Sequence, residues 1–230
     1  MQVTDFQWTR LWELIHIGEF IEVRFFPIRW EIWPILLRAS MVTLAMAFLG
    51  TLLAILIAIP LSFMAAKNTS IRLIRNPVKI ILNFLRSVPE IVFGLILVVV
   101  LGLGTFPAVV AIILHNIGVL GKLIAELIEA SDKGPQEAMR SVGATWTIGN
   151  MIAILPQIWP NLLSQYFYRF EVAIRTSLIL GFIGGGGLGQ QLFNHFNSMN
   201  YQAVALDILF IMALVMLVDS LGSYVRSRVI

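Results

Sequence analysis

The chain of 230 residues contains no cysteine and few charged residues. Without cysteine there is no disulfide framework, no thiolate metal site and no cysteine nucleophile, and the redox compartment cannot be inferred. Charged residues make up 13% of the chain and hydrophobic residues 58%, a balance that excludes an ordinary soluble domain. The net charge of +3 is small, and loop charges explain it better than nucleic-acid binding does. The composition predicts one all-α integral membrane domain.

Five stretches are long and apolar enough to cross a bilayer, which requires about 20 residues each. They cover residues 36–64, 79–103, 105–125, 159–181 and 203–225. The sequence therefore predicts a multi-pass protein with five transmembrane helices.

Basic residues are confined to one set of connections between these stretches. They follow the first, third and fifth stretches, as Lys67, Arg72, Arg75, Lys79, Lys122, Lys133, Arg140, Arg226 and Arg228. The opposite connections, around 101–107 and 182–202, contain neither lysine nor arginine. Because cytoplasmic loops carry the excess of basic residues, this pattern predicts an external N-terminus and a cytoplasmic C-terminus in the inner membrane.

Residues 1–34 form a separate aromatic segment before the membrane domain of residues 35–230. Residues 6–34 are too charged to span a bilayer, yet they contain four tryptophans and four phenylalanines. Indole rings prefer the headgroup level, so we predict an interfacial amphipathic helix on the outer face. The alternative is a poorly ordered lead-in, because chain termini are often mobile.

A polar loop at residues 132–156 interrupts the apolar chain. Gly134 and Pro135 resemble a helix start, and Glu137 in the first turn suits the positive end of the helix dipole. Gly143 offers a stop after about two turns. We expect a short surface helix, then a second helical run that ends at Pro156. The alternative is an ordinary amphipathic loop.

This loop resembles the cytoplasmic signature of ABC importer permeases. The pattern has Glu137-Ala138, then Gly143 six residues after the glutamate, and closes with Leu155-Pro156. In that family the loop docks into a separate ATPase subunit, so the resemblance implies a coupling helix and a type I importer fold. The chain has no Gly-x-x-x-x-Gly-Lys-Ser/Thr motif. We therefore expect no cofactor in this chain, with ATP and Mg²⁺ bound by the partner ATPase.

The fourth stretch carries a polar stripe with a spacing of three or four residues, which places its members on one helix face. It consists of Asn161, Ser164 or Gln165, Tyr168, Glu171 and Arg175. Charges at membrane depth are costly, so they should face protein or a water-filled path. A pairing of Glu171 with Arg175 is the structural alternative to a role in transport.

Arg86 and Glu90 repeat this theme around Pro89 in the second stretch, where proline is expected to kink the helix. The kink beside these two charges is either a hinge for alternating access, or the charges hold neighbouring helices or subunits together.

The glycines at 184, 185, 186, 187 and 189 match a dinucleotide-binding pattern, Gly-x-Gly-x-x-Gly. A transmembrane helix precedes them where that fingerprint requires a strand, so we reject a nucleotide site. We expect irregular backbone that is buried in protein or borders water, where amides either cradle an anion or form a gate. A flexible connection is the alternative.

No catalytic or metal site is predicted. His16, His115 and His195 are isolated in sequence from one another and from acidic clusters, and no nucleophile arrangement stands out. We expect a transport subunit and not an enzyme.

From about residue 34 onward the chain is similar to phosphonate-type permeases. The most specific segments are residues 115–122 and 168–175, with support from 86–90, 126–129 and 180–189. The resemblance implies import of phosphonate, phosphite or hypophosphite by two permease copies, two ABC ATPase subunits and an extracytoplasmic binding protein. Arg86, Glu90, Tyr168, Glu171, Arg175 and Gly184–Gly189 would then border the path or its gate.

Two other functions stay open at this point. A methionine-type or other amino-acid importer shares the loop and the glycine run. A channel or ion-coupled transporter without an ATPase would use the intramembrane charges, but it leaves the loop at Glu137 unexplained.

Overall fold

The computed structural model describes residues 17–229, and the regular structure in that part of the chain is entirely helical. The helices are α1 (Ile17–Phe25), α2 (Trp33–Ala65), α3 (Arg72–Ser87), α4 (Glu90–Leu101), α5 (Thr105–Ala130), α6 (Gly134–Ser141), α7 (Trp146–Leu180), α8 (Gly187–Asn197) and α9 (Tyr201–Val229). A 3₁₀ turn at Trp30–Ile32 leads into α2, and a π-helical turn at Gly181–Gly185 joins α7 to α8. The all-α prediction is confirmed.

Among the described residues, three helices are long and apolar enough to cross a membrane alone: Trp30–Ala65, Thr105–Ala130 and Tyr201–Arg228. Two bent pairs qualify only when each is taken as one span. They are α3 with α4, bent by 89°, and α7 with its π turn together with α8, bent by 55°. Five spans result when both pairs are counted, which agrees with the predicted number.

The second span is not the single helix predicted for residues 79–103. It begins at Arg72, ends its first half at Ser87 and resumes at Glu90. Val88 has extended backbone angles, φ −88° and ψ 121°, because a residue before proline is forced out of the helical region. The expected kink at Pro89 is therefore a complete break.

The fourth span also differs from the prediction, because α7 runs from Trp146 to Leu180 through both Pro156 and Pro160. The expected helix end at Pro156 and the new start near Pro160 were wrong. Between the prolines, the side chain of Gln157 accepts a hydrogen bond from the Asp132 backbone at 2.9 Å and donates to the Ala153 carbonyl at 2.7 Å. The two prolines remove the backbone donors that would bond the carbonyls of residues 152 and 156, and α7 continues despite these two lost bonds.

The described part of the N-terminal segment packs on the last helix. The rings of Phe20 and Phe25 lie 5.9 and 5.8 Å from the ring of Tyr201 at the start of α9. The predicted boundary at residue 34 falls in the first turn of α2. The interfacial position of this segment stays a prediction, and residues 1–16 lie outside the described residues.

Two apolar clusters hold the bundle together. One lies toward α6 and includes Leu82, Leu120 and Ile154 from three different helices. The other lies toward the α7–α8 bend and includes Ile112 and Leu180. Helices α2 and α5 run parallel through both clusters, with Gly50 beside Ile112 and Ser62 bonded to the Gly121 carbonyl, so they form the central pair against which α3 and α7 pack.

Candidate functional site

The polar loop at residues 132–156 contains the short helix that its sequence predicts. Helix α6 has Gly134 and Pro135 in its first turn and an exposed Glu137 beside them. Gly143 ends it with a φ of +75°, and its backbone N–H donates to the Arg140 carbonyl at 3.0 Å. A left-handed residue after the last turn is a common way to end a helix, and glycine adopts it without strain.

A buried amide pair attaches α6 to α7. The Nε2 of Gln136 donates to the Oδ1 of Asn150 at 3.0 Å, and both side chains are buried. Cβ atoms at the adjacent Gly149 and Met139 would lie 3.4 Å apart, which is close packing. The sequence prediction missed Gln136 and Asn150 as a pair, because they lie 14 positions apart on two different helices. Helix α6 is therefore joined directly to the longest helix of the bundle.

Charged side chains meet at the break between α3 and α4, although not in the expected pairing. Glu90 does not pair with Arg86; its Oε1 lies 3.2 Å from the Nε2 of His115 and 3.7 Å from the Nη2 of Arg169. Arg169 in turn donates to the Oδ1 of Asn116 from Nε at 2.8 Å and from Nη2. Arg86 is exposed.

The polar stripe on α7 is divided between two neighbours and does not pair internally. Glu171 is buried and forms an ion pair with Arg226 on α9, while Nη2 of Arg175 donates to both carboxylate oxygens of Asp219, at 2.8 and 2.6 Å. The alternative in which Glu171 pairs with Arg175 is wrong, because α9 packs beside α7 and offers opposite charges at both levels. Gly222 faces the Glu171 carboxylate at a position where any side chain would collide with it.

Removing the partner of a buried charge should be costly. We expect Arg226→Met to destabilise the chain by roughly 3–5 kcal/mol, because it leaves the Glu171 carboxylate buried and unpaired. Thermal unfolding in detergent measures the effect. Arg228→Met is the matched control, since Arg228 is exposed and stacks on Tyr224 at 5.0 Å, a contact worth about 1 kcal/mol or less. Equal losses in the two variants would contradict the ion-pair interpretation.

The glycine run forms irregular backbone inside the protein, as predicted. Gly184, Gly186 and Gly187 have φ values of +92°, +87° and +70°, and Gly185 and Gly187 are buried. The Gly184 carbonyl accepts from the Gly104 N–H at 3.0 Å, which ties the run to the connection between α4 and α5. The Leu188 N–H donates to the Oγ1 of Thr43 at 2.9 Å, so α2 holds the start of α8.

Two of the histidines are not isolated from acidic groups once the chain is folded. His115 contacts Glu90, and the Nδ1 of His195 lies 2.7 Å from the Oδ2 of Asp207, which is fully buried. Sequence spacing concealed both contacts, because each joins residues on different helices. His16 lies outside the described residues. Within the described part of the chain, no three histidine, cysteine, aspartate or glutamate side chains form a group suited to a metal ion.

Comparison with known proteins identifies the family. The family described as "Binding-protein-dependent transport system inner membrane component" matches residues 58–230. The chain belongs to this family. The match covers the α6 loop, the α3–α4 break, the charged residues of α7 and α9, and the glycine run.

Curated relatives of this permease include transporters for phosphorus compounds. The phosphite transport system permease protein PtxC of Stutzerimonas stutzeri is 40% identical over 193 residues, covering 84% of this chain and 70% of the relative. The phosphate-import permease protein PhnE of Mycolicibacterium smegmatis is 39% identical over 160 residues, covering 69% and 30%. A probable D-methionine permease, MetI of Pasteurella multocida, is 30% identical over 211 residues, covering 86% and 97%.

Solved permease structures share the fold. A chain of the MetNI methionine ABC transporter in an inward-facing conformation superposes with a TM-score of 0.75 at 23% identity, covering 88% of this permease and 100% of that chain. A chain of a bacterial ABC transporter that imports alginate gives 0.70 at 16% identity, covering 96% and 92%. With its membrane-spanning helices and its family, the chain is a multi-pass membrane permease.

Proposed function

We propose that the chain is the membrane-spanning subunit of an ATP-driven importer for phosphite, phosphonate or a related oxyanion. The observation that carries this proposal is the 40% identity to a phosphite transport permease across 84% of the chain. The importer would contain two copies of the permease, two ATPase subunits that bind ATP and Mg²⁺, and an extracytoplasmic binding protein. Relatives that transport methionine match at 30% identity and below, which favours an oxyanion.

Helix α6 is the proposed coupling helix, which would contact the ATPase and transmit its conformational change to the permease. Its exposed Glu137 and the following Ala138 stand at the surface end of the loop, and the basic residues around them support a cytoplasmic position for this end. The Gln136–Asn150 contact joins α6 to α7, which continues through Leu155 and Pro156 without interruption. At about 1.5 Å per residue, the 35 residues of α7 reach roughly 50 Å. A displacement of α6 would therefore be carried across the whole membrane.

Exposed polar residues at membrane depth are the proposed lining of the path. Tyr168 is 52% exposed, and the side chains of Arg175 and Asp219 are 49% and 42% exposed. Charges cost several kcal/mol in lipid, so these groups should face water or the second permease copy. Arg86, also exposed, and Arg175 supply the positive charge that attracts an oxyanion.

The remaining predicted path residues have buried surroundings. Glu171 is held by Arg226 and serves the α7–α9 contact, while Glu90 borders the break in the second span. The run Gly184–Gly189 would act as a gate at the outer end, because it connects α7, α8 and the α4–α5 connection.

Reconstituted transport tests the proposal. We expect the chain, its ATPase and its binding protein together in proteoliposomes to take up radiolabelled phosphite or a phosphonate only when ATP is enclosed with the ATPase. Methionine uptake at a comparable rate would assign the chain to an amino-acid importer. Uptake by the chain alone, without ATPase, would instead support a channel or an ion-coupled transporter and would overturn the coupling role of α6.

A further inference from the structure

Two rows of polar side chains lie along the contact between α3 and α5, and the proposed function uses only Arg86 among them. The row on α3 consists of Arg72, Arg75, Lys79, Asn83 and Arg86. Their spacing of three or four residues places them on one helix face, and each is exposed or half-buried. The row on α5 has the same spacing and consists of Lys122, Glu126 and Glu129. We name these two rows the polar seam.

The antiparallel course of α3 and α5 brings the two rows together at matching levels. Near the break in the second span, a Cβ at Gly118 of α5 would touch the backbone of α3 at Arg86. Toward the other end, the Nζ of Lys79 donates to the Oε1 of Glu129 at 2.9 Å. The polar seam therefore runs from the break in the second span to the end of α5, which α6 follows.

A cavity of about 110 Å³ lies between the two rows. The polar residues that line it are Lys79, Asn83, Lys122, Glu126 and Glu129. A single water requires about 10–15 Å³ of such a volume, so the cavity admits several waters or one small oxyanion. The two ammonium groups and the carboxamide of Asn83 supply hydrogen-bond donors at its wall.

The position of Lys122 in α5 indicates that the cavity borders water. At about 1.5 Å per residue, Lys122 lies roughly 7 Å from the middle of α5, within the ~30 Å hydrocarbon layer of a bilayer centred on that helix. The side chains of Lys122 and Lys79 are 41% and 36% exposed. Because charged groups at that depth cost several kcal/mol in lipid, the exposed part of the polar seam should face water.

Positive charge exceeds negative charge along the polar seam, which contains five basic residues and two carboxylates. Three of the basic residues form no ion pair with any residue that the structure describes: Arg72, Arg75 and Arg86. Lys122 is held only weakly, because its Nζ lies 3.7 Å from the carboxylate of an exposed Glu126. The polar seam therefore retains positive charge that an anion can neutralise.

We propose that the polar seam is the exit passage of the oxyanion toward the α6 side, with a binding site at Lys79, Asn83 and Lys122. This inference rests on the proposed function, because excess positive charge attracts an oxyanion but gives no such advantage to a zwitterionic amino acid. At the site, the two ammonium groups and the carboxamide donate hydrogen bonds to the oxygens of the ion. Glu126 and Glu129 compete for the same ammonium groups, which keeps the ion weakly bound and able to leave.

Cysteine labelling tests whether the polar seam borders water, and the absence of cysteine from this chain makes the signal specific. Asn83→Cys, in the complex of permease and ATPase in lipid nanodiscs, should react with a charged methanethiosulfonate reagent. Ile81→Cys is the matched control, since Ile81 lies two residues away on the other side of α3 and is 55% exposed. This control should remain largely unreactive, because charged reagents do not enter lipid. An Asn83→Cys variant as unreactive as Ile81→Cys would overturn the exit passage.

The charge of the reagent tests the anion site. Relative to their rates with free cysteine, an anionic reagent should label Asn83→Cys about tenfold faster than a cationic one, because a positive cleft concentrates anions. Added phosphite should slow the labelling by occupying the site. Lys122→Gln should reduce both effects, whereas Arg38→Gln, which removes an exposed positive charge from α2, should leave them unchanged. Equal relative rates for the two reagents, or no protection by phosphite, would overturn the anion site.

The exit passage and the proposed cargo can be contradicted separately. Phosphite uptake by the reconstituted transporter, together with an unreactive Asn83→Cys variant, would overturn the passage and leave the cargo assignment intact. Methionine uptake in place of phosphite, together with anion-selective labelling of Asn83→Cys, would overturn the proposed cargo while leaving an anion-binding site at the polar seam.

Discussion

Replacing Gly143 with valine is expected to abolish most ATP-driven uptake while leaving the membrane helices folded. Gly143 has a φ of +75°, a region in which a β-branched side chain is strained by on the order of 1–3 kcal/mol. To relieve the strain, the backbone would change its direction where it leaves α6. This would turn α6 away from the surface of the ATPase. Because about 1.4 kcal/mol corresponds to a tenfold change in an equilibrium, we expect uptake to fall about tenfold or more.

A graded series separates backbone strain from a general loss of structure. Gly143→Asn should be milder than Gly143→Val, because asparagine tolerates the left-handed region better. Gly134→Ala in the same loop is the matched control, since its new Cβ would lie 3.6 Å or more from Asp132, an ordinary contact. Cargo-stimulated ATPase activity and uptake should be measured together in proteoliposomes. Normal coupled uptake by Gly143→Val would show that the exit angle of α6 does not matter.

A large loss of stability is expected from substitution of Gly118 on α5. A Cβ at this position would lie 2.8 Å from the carbonyl oxygen of Leu82 and closer still to the backbone nitrogen of Arg86. Both contacts are with the backbone of α3, which cannot rotate away as a side chain can. Gly118→Leu must therefore force α3 and α5 apart, and we expect a loss of about 3 kcal/mol or more, the upper end of overpacking effects.

The matched control for Gly118 is Gly18, where a new Cβ meets nothing within 4 Å. Gly18→Leu should change the unfolding temperature in detergent little, while Gly118→Leu should lower it strongly or prevent expression of folded protein. Gly118→Ala provides an intermediate step that retains some folded chain for measurement. Equal stability of the Gly118 and Gly18 variants would mean that α3 and α5 are not in close backbone contact.

A structural feature could be predicted from the sequence when the residues that determine it are neighbours in the chain, and could not when they are distant. Helix α6 was predictable because its start at Gly134-Pro135 and its end at Gly143 depend on neighbouring backbone angles alone. The break at Val88 and Pro89 was only partly predictable: proline forbids the helical angles of the preceding residue, but the 89° bend depends on what packs around it. The continuity of α7 through two prolines was missed, because proline locally favours a helix end, whereas α7 also contacts distant parts of the chain, such as Asp132, 25 residues away from Gln157.

The ion-pair partners of the charged residues on α7 also could not be predicted from local sequence spacing. A helical period correctly placed Glu171 and Arg175 one turn apart, and local spacing then suggested that they pair with each other. Each charge instead pairs with a residue of α9, 55 and 44 positions further along the chain. Periodicity describes one helix face, whereas the partner of a buried charge is decided by the helix that packs against that face.

By itself, the sequence determined that this chain is an all-helical membrane protein with about five spans and a short helix in its polar loop. Those properties arise from apolar length, charge bias and cap residues, which act locally. Only the tertiary structure decided how Glu90, His115 and Arg169 meet at the broken span and how Gln136 joins α6 to α7. These contacts form between helices, and their geometry exists only after the apolar faces have packed, because packing alone brings residues distant in sequence within hydrogen-bond distance.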